Sequence, residues 1–347
     1  MPITTQELEN LANATMDFHW GKDVDSQSIQ DKPLLAALKS KMTEFPGGKD
    51  YIDIRVKWDY TTGIQGFEYD DEVEYDNPAN IRTAYYPWKL IHGGISCTMH
   101  ELMKNGISIV DTMDGASVRS HSDRDAIMLA DIFKDKLEDM SEGIDREMNE
   151  MFWLDGTQDA KLVPGIMSFI VDDPTAATTV GGIDQAANPH WRNRADLAIN
   201  VSGGAAVQPL FTFLQAEVRQ LRRYGSPNLS GFAGSDFIEQ MENELRQNGT
   251  FTQDGWAGKG VVDAHIKGVK FAGITFQYDP TLDDMSMADR CYVLDMKSIH
   301  PKVVSGENMK RHTPARPENK YVMYRAVTWA GGLVCKRRNT SAVYALA

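Results

Sequence analysis

From residue 51 the chain alternates apolar and polar positions with the period of a strand. Ile52, Ile54, Val56, Trp58 and Tyr60 fall on one face, and Asp53, Arg55, Lys57 and Asp59 on the other. Successive side chains of a strand point to opposite faces, so the pattern predicts a strand half buried or lying at an interface. The alternation stops at Thr61. From there to Pro78 the chain carries Gly63 and Gly66, the carboxylates Glu68, Asp70, Asp71, Glu72, Glu74 and Asp76, and a closing Asn77-Pro78, which together predict an exposed tip. A second extended run follows from Ile81 through Tyr85, Tyr86, Trp88, Leu90 and Ile91. Two strands around a long polar tip make a projecting β-arm. An isolated two-stranded ribbon is not stable in water, so such an arm needs a neighbour to lie on.

The period then changes. In the segment opening at Ser122, apolar residues recur at Ala126, Ala130, Phe133, Leu137, Met140, Ile144, Met148 and Met151. Steps of three and four describe one face of a helix of about 30 residues, roughly 45 Å long. Ser122 with Asp125 three residues on is a plausible cap, Asp155-Gly156 ends the run, and Gly143 is a position for a bend. The methionines on this face read as adaptable core packing.

Before the arm, Met1 to Pro46 holds two short helix-prone pieces, the second ended by Phe45-Pro46-Gly47-Gly48. After the long helix, Leu162 to about Asn200 is rich in loop signals. Helices are predicted from Pro209 to Tyr224, with an apolar stripe of Leu210, Phe213, Leu214, Val218 and Leu221, and from Ser235 to about Gln247. Strands are expected around Val269 to Tyr278, Tyr292 to Leu294 and Tyr321 to Cys335. The fold class is α+β.

Composition narrows the function by exclusion. The 347 residues are 42% hydrophobic and 24% charged, enough for one large domain or two ordinary ones. A net charge of -13 disfavours a nucleic-acid reader, because phosphate binding relies on Lys and Arg. The same charge suits a container wall that encloses DNA without adhering to it, but it suits an ordinary soluble cytosolic protein as well, so charge excludes more than it selects. Cys97, Cys291 and Cys335 are scattered without a C-x-x-C pair, which argues against a disulfide framework and a zinc site. The N-terminus lacks the layout of a signal peptide, and the apolar stretch around Leu162 to Val171 is too short to span a bilayer.

Catalytic signatures are incomplete. His92-Gly93-Gly94 resembles the oxyanion-loop glycines of lipases and esterases, but no serine sits in a G-x-S-x-G elbow. His100-Glu101 lacks the second histidine of a zinc protease, and neither Gly48-Lys49 nor Gly258-Lys259 continues as a P-loop. The tip carboxylates lack EF-hand spacing and its glycine. They read as a solvated acidic tip, or as a surface that meets a basic patch on an adjacent subunit, for which Arg219, Arg222 and Arg223 or Lys336, Arg337 and Arg338 are candidates. Lys57 reads as an exposed strand residue. No catalytic, cofactor or metal residue is assigned.

The order of parts, with the segment from Trp153 to Asn193, resembles tailed-bacteriophage major capsid proteins of the Hong Kong 97-type fold. The specific residues are Trp153-Leu154-Asp155-Gly156-Thr157, Asp173-Pro174, Gly181-Gly182-Ile183-Asp184 and Trp191-Arg192-Asn193. Gln185 departs from the pattern, standing where a basic residue is usual, which removes any salt bridge made from that position.

The resemblance implies an N-terminal arm at residues 1–46 and an extended E-loop at 47–92. It further implies a peripheral domain at 93–200 and 318–347 with a spine helix at 123–154, and an axial domain at 201–317. It implies a virion protein with no catalysis, whose pentamers and hexamers form an icosahedral shell around DNA, with Trp58, the tip acids and the Gly181 to Asn193 motif serving structure or interfaces. A separate scaffolding protein, a portal and a decoration protein are the partners it suggests; the short arm leaves no room for a fused scaffold. The alternatives are a bacterial nanocompartment shell and a cytoplasmic enzyme without a recognisable motif.

Overall fold

The computed structural model describes residues 3–4, 30–57, 60, 63–75, 80–104, 109–110, 123–201, 209–225, 227–247, 269–314 and 321–347. A short helix, α1, spans Pro33–Lys39 and buries Leu34, Leu35 and Leu38. The alternating run becomes β1, Tyr51–Lys57, with Ile52 buried, Ile54 and Val56 half-buried, and the odd-numbered residues exposed. It pairs antiparallel with β2, Ile81–Pro87, in one unbroken register from Tyr51 opposite Pro87 to Lys57 opposite Ile81. The arm expected from the alternation is therefore a hairpin whose apolar face is partly covered.

A further strand, β3, runs Lys89–Thr98. Gly93 and Gly94 disguise it, since glycine weakens a strand unless something approaches closely. Here something does. A Cβ on Gly93 would lie 2.5 Å from Ile144 Cδ1 of the long helix α2, Asp123–Trp153. The glycine thus serves helix-on-strand packing, and the likeness to an oxyanion loop has no part in it. Helix α2 is unbroken through Gly143, whose Cα faces open space.

The chain forms two compact units: Met1–Gln30, Leu90–Met148 and Val303–Ala330 in one, and Asp31–Lys89, Asn149–Lys302 and Gly331–Ala347 in the other. In the first, Leu137 and Met140 of α2 bury against Val327, with Ile95, Ile144 and Met309 beside them. Lys136 of the same helix donates to Glu101 Oε2 at 2.8 Å and to Ser96 O at 3.3 Å.

The second unit is built on a six-stranded sheet. Its members are β4 (Arg194–Ile199), β5 (Leu229–Ala233), β6 (Val269–Phe271), β7 (Ile274–Tyr278), β8 (Arg290–Asp295) and β9 (Ala342–Leu346), in the spatial order β6-β7-β5-β8-β9-β4. The β5–β7 and β9–β4 pairs are parallel and the others antiparallel. Helices α3, Pro209–Leu221, and α4, Ser235–Gln247, cover the sheet. The α3 stripe of Leu210, Leu214, Val218 and Leu221 is wholly or almost wholly buried, as its spacing of three and four requires. Full burial of each such side chain contributes about 1.5–3 kcal/mol. The first turn of α3 is satisfied from α4: the buried Glu244 carboxylate accepts from the Leu210 and Phe211 amides, both at 3.1 Å.

The last turn of α2 belongs to this unit and is pinned by polar side chains. Trp153 is wholly buried and donates through Nε1 to Asp279 Oδ2 at 3.0 Å. Asn149 donates to Thr281 Oγ1 at 2.7 Å and accepts from the Leu35 amide at 3.0 Å. Burial pushes the Asp279 carboxyl above its ordinary value, against the hydrogen bonds that hold it down. Beyond the helix, a Cβ on Gly165 would lie 2.3 Å from Phe152 O, so only glycine lets the Val163-Pro164-Gly165 turn close against the helix end. Among the described residues no helix is long and apolar enough to cross a membrane.

Candidate functional site

The motif from Gly181 to Asn193 closes around one side chain that the sequence hid: Arg338. It follows Lys336 and Arg337 and reads as the end of a solvated charge run, yet it is wholly buried. This corrects its candidacy as part of a surface patch. Its guanidinium donates from Nε to Phe169 O at 2.5 Å and from Nη1 to Trp191 O at 2.9 Å. Nη2 donates to Gln185 Oε1 at 3.0 Å and to Asn193 Oδ1 at 2.9 Å. All four acceptors are neutral. Burial pulls its pKa down to about 10, which still leaves a cation at neutral pH. The Trp191 ring lies 5.8 Å from the guanidinium carbon, within cation–π reach.

This geometry explains the departure at Gln185. Wholly buried, its amide accepts from Arg338 and donates through Nε2 to Asp173 O, Ala176 O and Thr178 Oγ1 at 3.0, 3.1 and 2.6 Å. An uncharged group that both accepts and donates fits a position with a cation on one side and carbonyls on the other. The other motif residues brace the same loop. Trp191 Nε1 donates to Val180 O at 3.0 Å, and Arg192 donates to Gln185 O at 2.8 Å and Ala186 O at 2.7 Å. Asn193 bridges to Val171, accepting from its amide at 3.2 Å and donating to its carbonyl at 2.8 Å. Asp184 is exposed and closes a local turn by accepting from the Ala186 amide at 2.9 Å.

The braced loop in turn seats the base of the arm. Gly181 and Gly182 have φ of +60° and +79°, in the left-handed region that favours glycine. Gly181 O accepts from the Tyr85 amide at 2.9 Å, and Cβ atoms at the two positions would press within 3.2 and 3.3 Å of Tyr86 and Tyr85. Tyr86 is buried, donates to Cys335 O at 2.7 Å and stacks edge-on with Phe169 at 5.2 Å. Trp88 Nε1 donates to Lys49 O at 2.7 Å. The Gly181 to Asn193 motif is thus an anchor for the hairpin, held from beneath by Arg338.

The far end of the arm is the opposite environment. Glu68, Asp70, Asp71 and Glu72 are all exposed, and so are Ile64, Phe67, Tyr69 and Tyr75. Trp58 lies outside the described residues. The tip is ordered by its own turn: the Asp71 amide donates to Glu68 O at 3.0 Å and the Glu68 amide to Asp71 Oδ2 at 2.9 Å. Among the described residues no group of three or more His, Cys, Asp or Glu is placed to hold a metal ion. The arm thus joins an anchored base to a tip whose acids and large apolar side chains are exposed.

The fold that carries this arm is that of phage capsid subunits. The chain is similar to the subunit in the cyanophage A-1(L) capsid asymmetric unit, with a TM-score of 0.63 at 15% identity over 96% of this chain and 98% of that one. It is similar also to the capsid structure of cyanophage P-SCSP1u (TM-score 0.56, 9% identity, 94% and 92% covered) and to the capsid of a native GTA particle (0.53, 13%, 94% and 96%). No protein-family model matches the chain, and no curated protein does. The likeness is one of fold, at sequence identities of 9–15%.

Proposed function

We propose that this chain is the major capsid subunit of a tailed bacteriophage, a structural protein without catalysis. Copies associate as pentamers and hexamers that close into an icosahedral head around double-stranded DNA. The observation that carries this reading is the likeness to the cyanophage capsid subunit over nearly the full length of both chains. The anchored, outward-reaching arm supports it, since its exposed apolar tip is what a tiling subunit needs and a monomer does not.

In this reading residues 1–46 are an arm over neighbouring subunits and 47–92 the E-loop. Residues 93–200 with 318–347 are the peripheral domain stiffened by the spine helix, and 201–317 gather around the symmetry axes. A separate scaffolding protein and a portal act during assembly, a decoration protein binds the finished shell, and the acidic chain encloses DNA without reading it. Expression of the full chain, followed by gel filtration and electron microscopy, tests the reading. Hollow particles or ring-shaped capsomers are expected. A single small oligomer under all conditions, with and without co-expressed scaffold, would refute it, and particles filled with a protein cargo would point to a nanocompartment.

A further inference from the structure

We propose that a cationic groove within the second unit binds inorganic hydrogen phosphate. The inference goes beyond the shell reading and does not depend on it. The groove has a volume of about 350 Å³ and is lined by Lys41 and Thr43, by Asn228, and by Lys297, His300 and Lys336. The three lysines are exposed, and among the described residues none is paired with a carboxylate. Lys336 also borders an adjoining groove with Arg55, Lys57 and Arg337, so the field is positive on that side as well. In a chain of net charge -13 this is a local reversal of sign.

The wall of the groove is fixed by buried hydrogen bonds. Asp295, wholly buried, accepts through Oδ1 from the Asn228 amide at 2.9 Å and the Lys297 amide at 3.1 Å, and through Oδ2 from the Ser298 and Thr340 hydroxyls at 2.5 and 3.1 Å. The Met296 amide donates to Asn228 O at 3.0 Å and the Lys336 amide to Ser298 O at 2.9 Å, which ties three segments of the wall together. His300 then selects the anion. It is 5% exposed and lines the groove from the strand Ile299–Val304. One ring nitrogen donates to the Ser298 carbonyl, while burial first, and the Lys336 and Lys302 charges next, lower the pKa to about 4. The ring is therefore uncharged at neutral pH. Its second nitrogen is a bare acceptor, without a partner among the described residues. Lys302 is half-buried and also acts on Asp53, which leaves the three groove lysines to meet a ligand. Such a site asks for an anion with more than one charge that also carries a hydrogen-bond donor. Hydrogen phosphate has both: its oxygens accept from the ammonium groups, the Thr43 hydroxyl and the Asn228 amide, and its hydroxyl donates to His300. Sulfate lacks the proton, and a carboxylate or a nucleic-acid phosphodiester lacks both the proton and the second charge.

Phosphorus-31 NMR of inorganic phosphate with the full chain, at about pH 7.5 and about 0.05 M NaCl so that exposed charges are little screened, tests this. The phosphate line should broaden as protein is added, and a titration gives the affinity. Lys297→Glu with Lys336→Glu should lower that affinity roughly tenfold or more, whereas Lys161→Glu with Lys270→Glu, the same change of charge at exposed positions outside the groove, should leave it within about twofold. Asn228→Ala changes no charge and should lower it about fivefold, the loss of one hydrogen bond. Sulfate should compete about tenfold more weakly than phosphate, and His300→Phe, shown folded by circular dichroism, should erase that preference. No broadening, a loss matched by the control pair, equal competition by sulfate against the parent chain, or displacement of phosphate by duplex DNA at equal phosphate concentration would overturn the proposal.

Discussion

Replacing Gln185 by arginine would place a second cation beside a guanidinium that is already wholly buried. Gln185 Oε1 lies 3.0 Å from Arg338 Nη2, so the new charge would sit about 4 Å from the old one. Two unit charges at that separation repel by about 4 kcal/mol at an effective dielectric of ~20. The Nη2 proton that Gln185 now accepts would also lose its partner, adding about 1–3 kcal/mol. The carbonyls of Asp173 and Ala176 would keep a donor, so they offset nothing further. The sum is a large share of a typical stability of about 5–15 kcal/mol. Urea unfolding followed by circular dichroism should show a midpoint far below the parent's, with an unchanged slope. The transposed pair, Gln185→Arg with Arg338→Gln, should regain a substantial part because only one cation remains. A Gln185→Arg variant within about 1 kcal/mol of the parent would refute the assignment of Arg338 as a charge held by neutral acceptors.

Three further substitutions probe the elements around this node. Glu244→Ala orphans two buried amides at the start of α3 and should cost about 2–4 kcal/mol in chemical unfolding, whereas an exposed carboxylate of the same helix such as Glu239 should cost far less. Gly165→Ala drives a Cβ into the backbone at Phe152 O and should cost about 3 kcal/mol or prevent soluble expression, while Gly143→Ala, in open space within α2, should be stabilising by up to about 1 kcal/mol. His300 is buried, and its pKa is lowered to about 4 by desolvation first and by the Lys336 and Lys302 charges next. The folded state therefore binds fewer protons than the unfolded state between about pH 4 and 6.5. Stability falls as pH drops through that window, by on the order of 2 kcal/mol for this group after allowance for partial hydration, and His300→Gln should flatten that part of a stability–pH profile.

How much of this was legible depended on whether the signal was local. The β1 alternation, the α2 stripe and the α3 stripe are periodic within one element, and each appears where its period puts it. Strand β3 was hidden because Gly93 answers to Ile144, some fifty positions away, while Gly94 lies against the more distant Arg325 carbonyl, and nothing beside them says so. The same holds for β4 and β9, whose parallel pairing joins Arg194 to Ala342, and for Glu244, which caps a helix that begins thirty-five residues earlier. Arg338 is the sharpest case. Its neighbours Lys336 and Arg337 are exposed, and only the convergence of Phe169, Gln185, Trp191 and Asn193 distinguishes it. Yet Gln185 did carry a trace of it, since a glutamine in place of a basic residue is what a nearby buried cation demands.

The two ends of the arm divide the work by the physics available to each. At its base, glycines at positive φ, a buried tyrosine and a guanidinium with four acceptors fix the hairpin in one orientation, at the cost of desolvating a charge. At its tip the described carboxylates are exposed, where a single ion pair contributes little. Weak, screened contacts at the end of a rigidly seated lever can break and re-form without disturbing the fold that presents them. In the proposed shell, that separation lets each copy keep its fold while its tip contacts adjust to unequal neighbours.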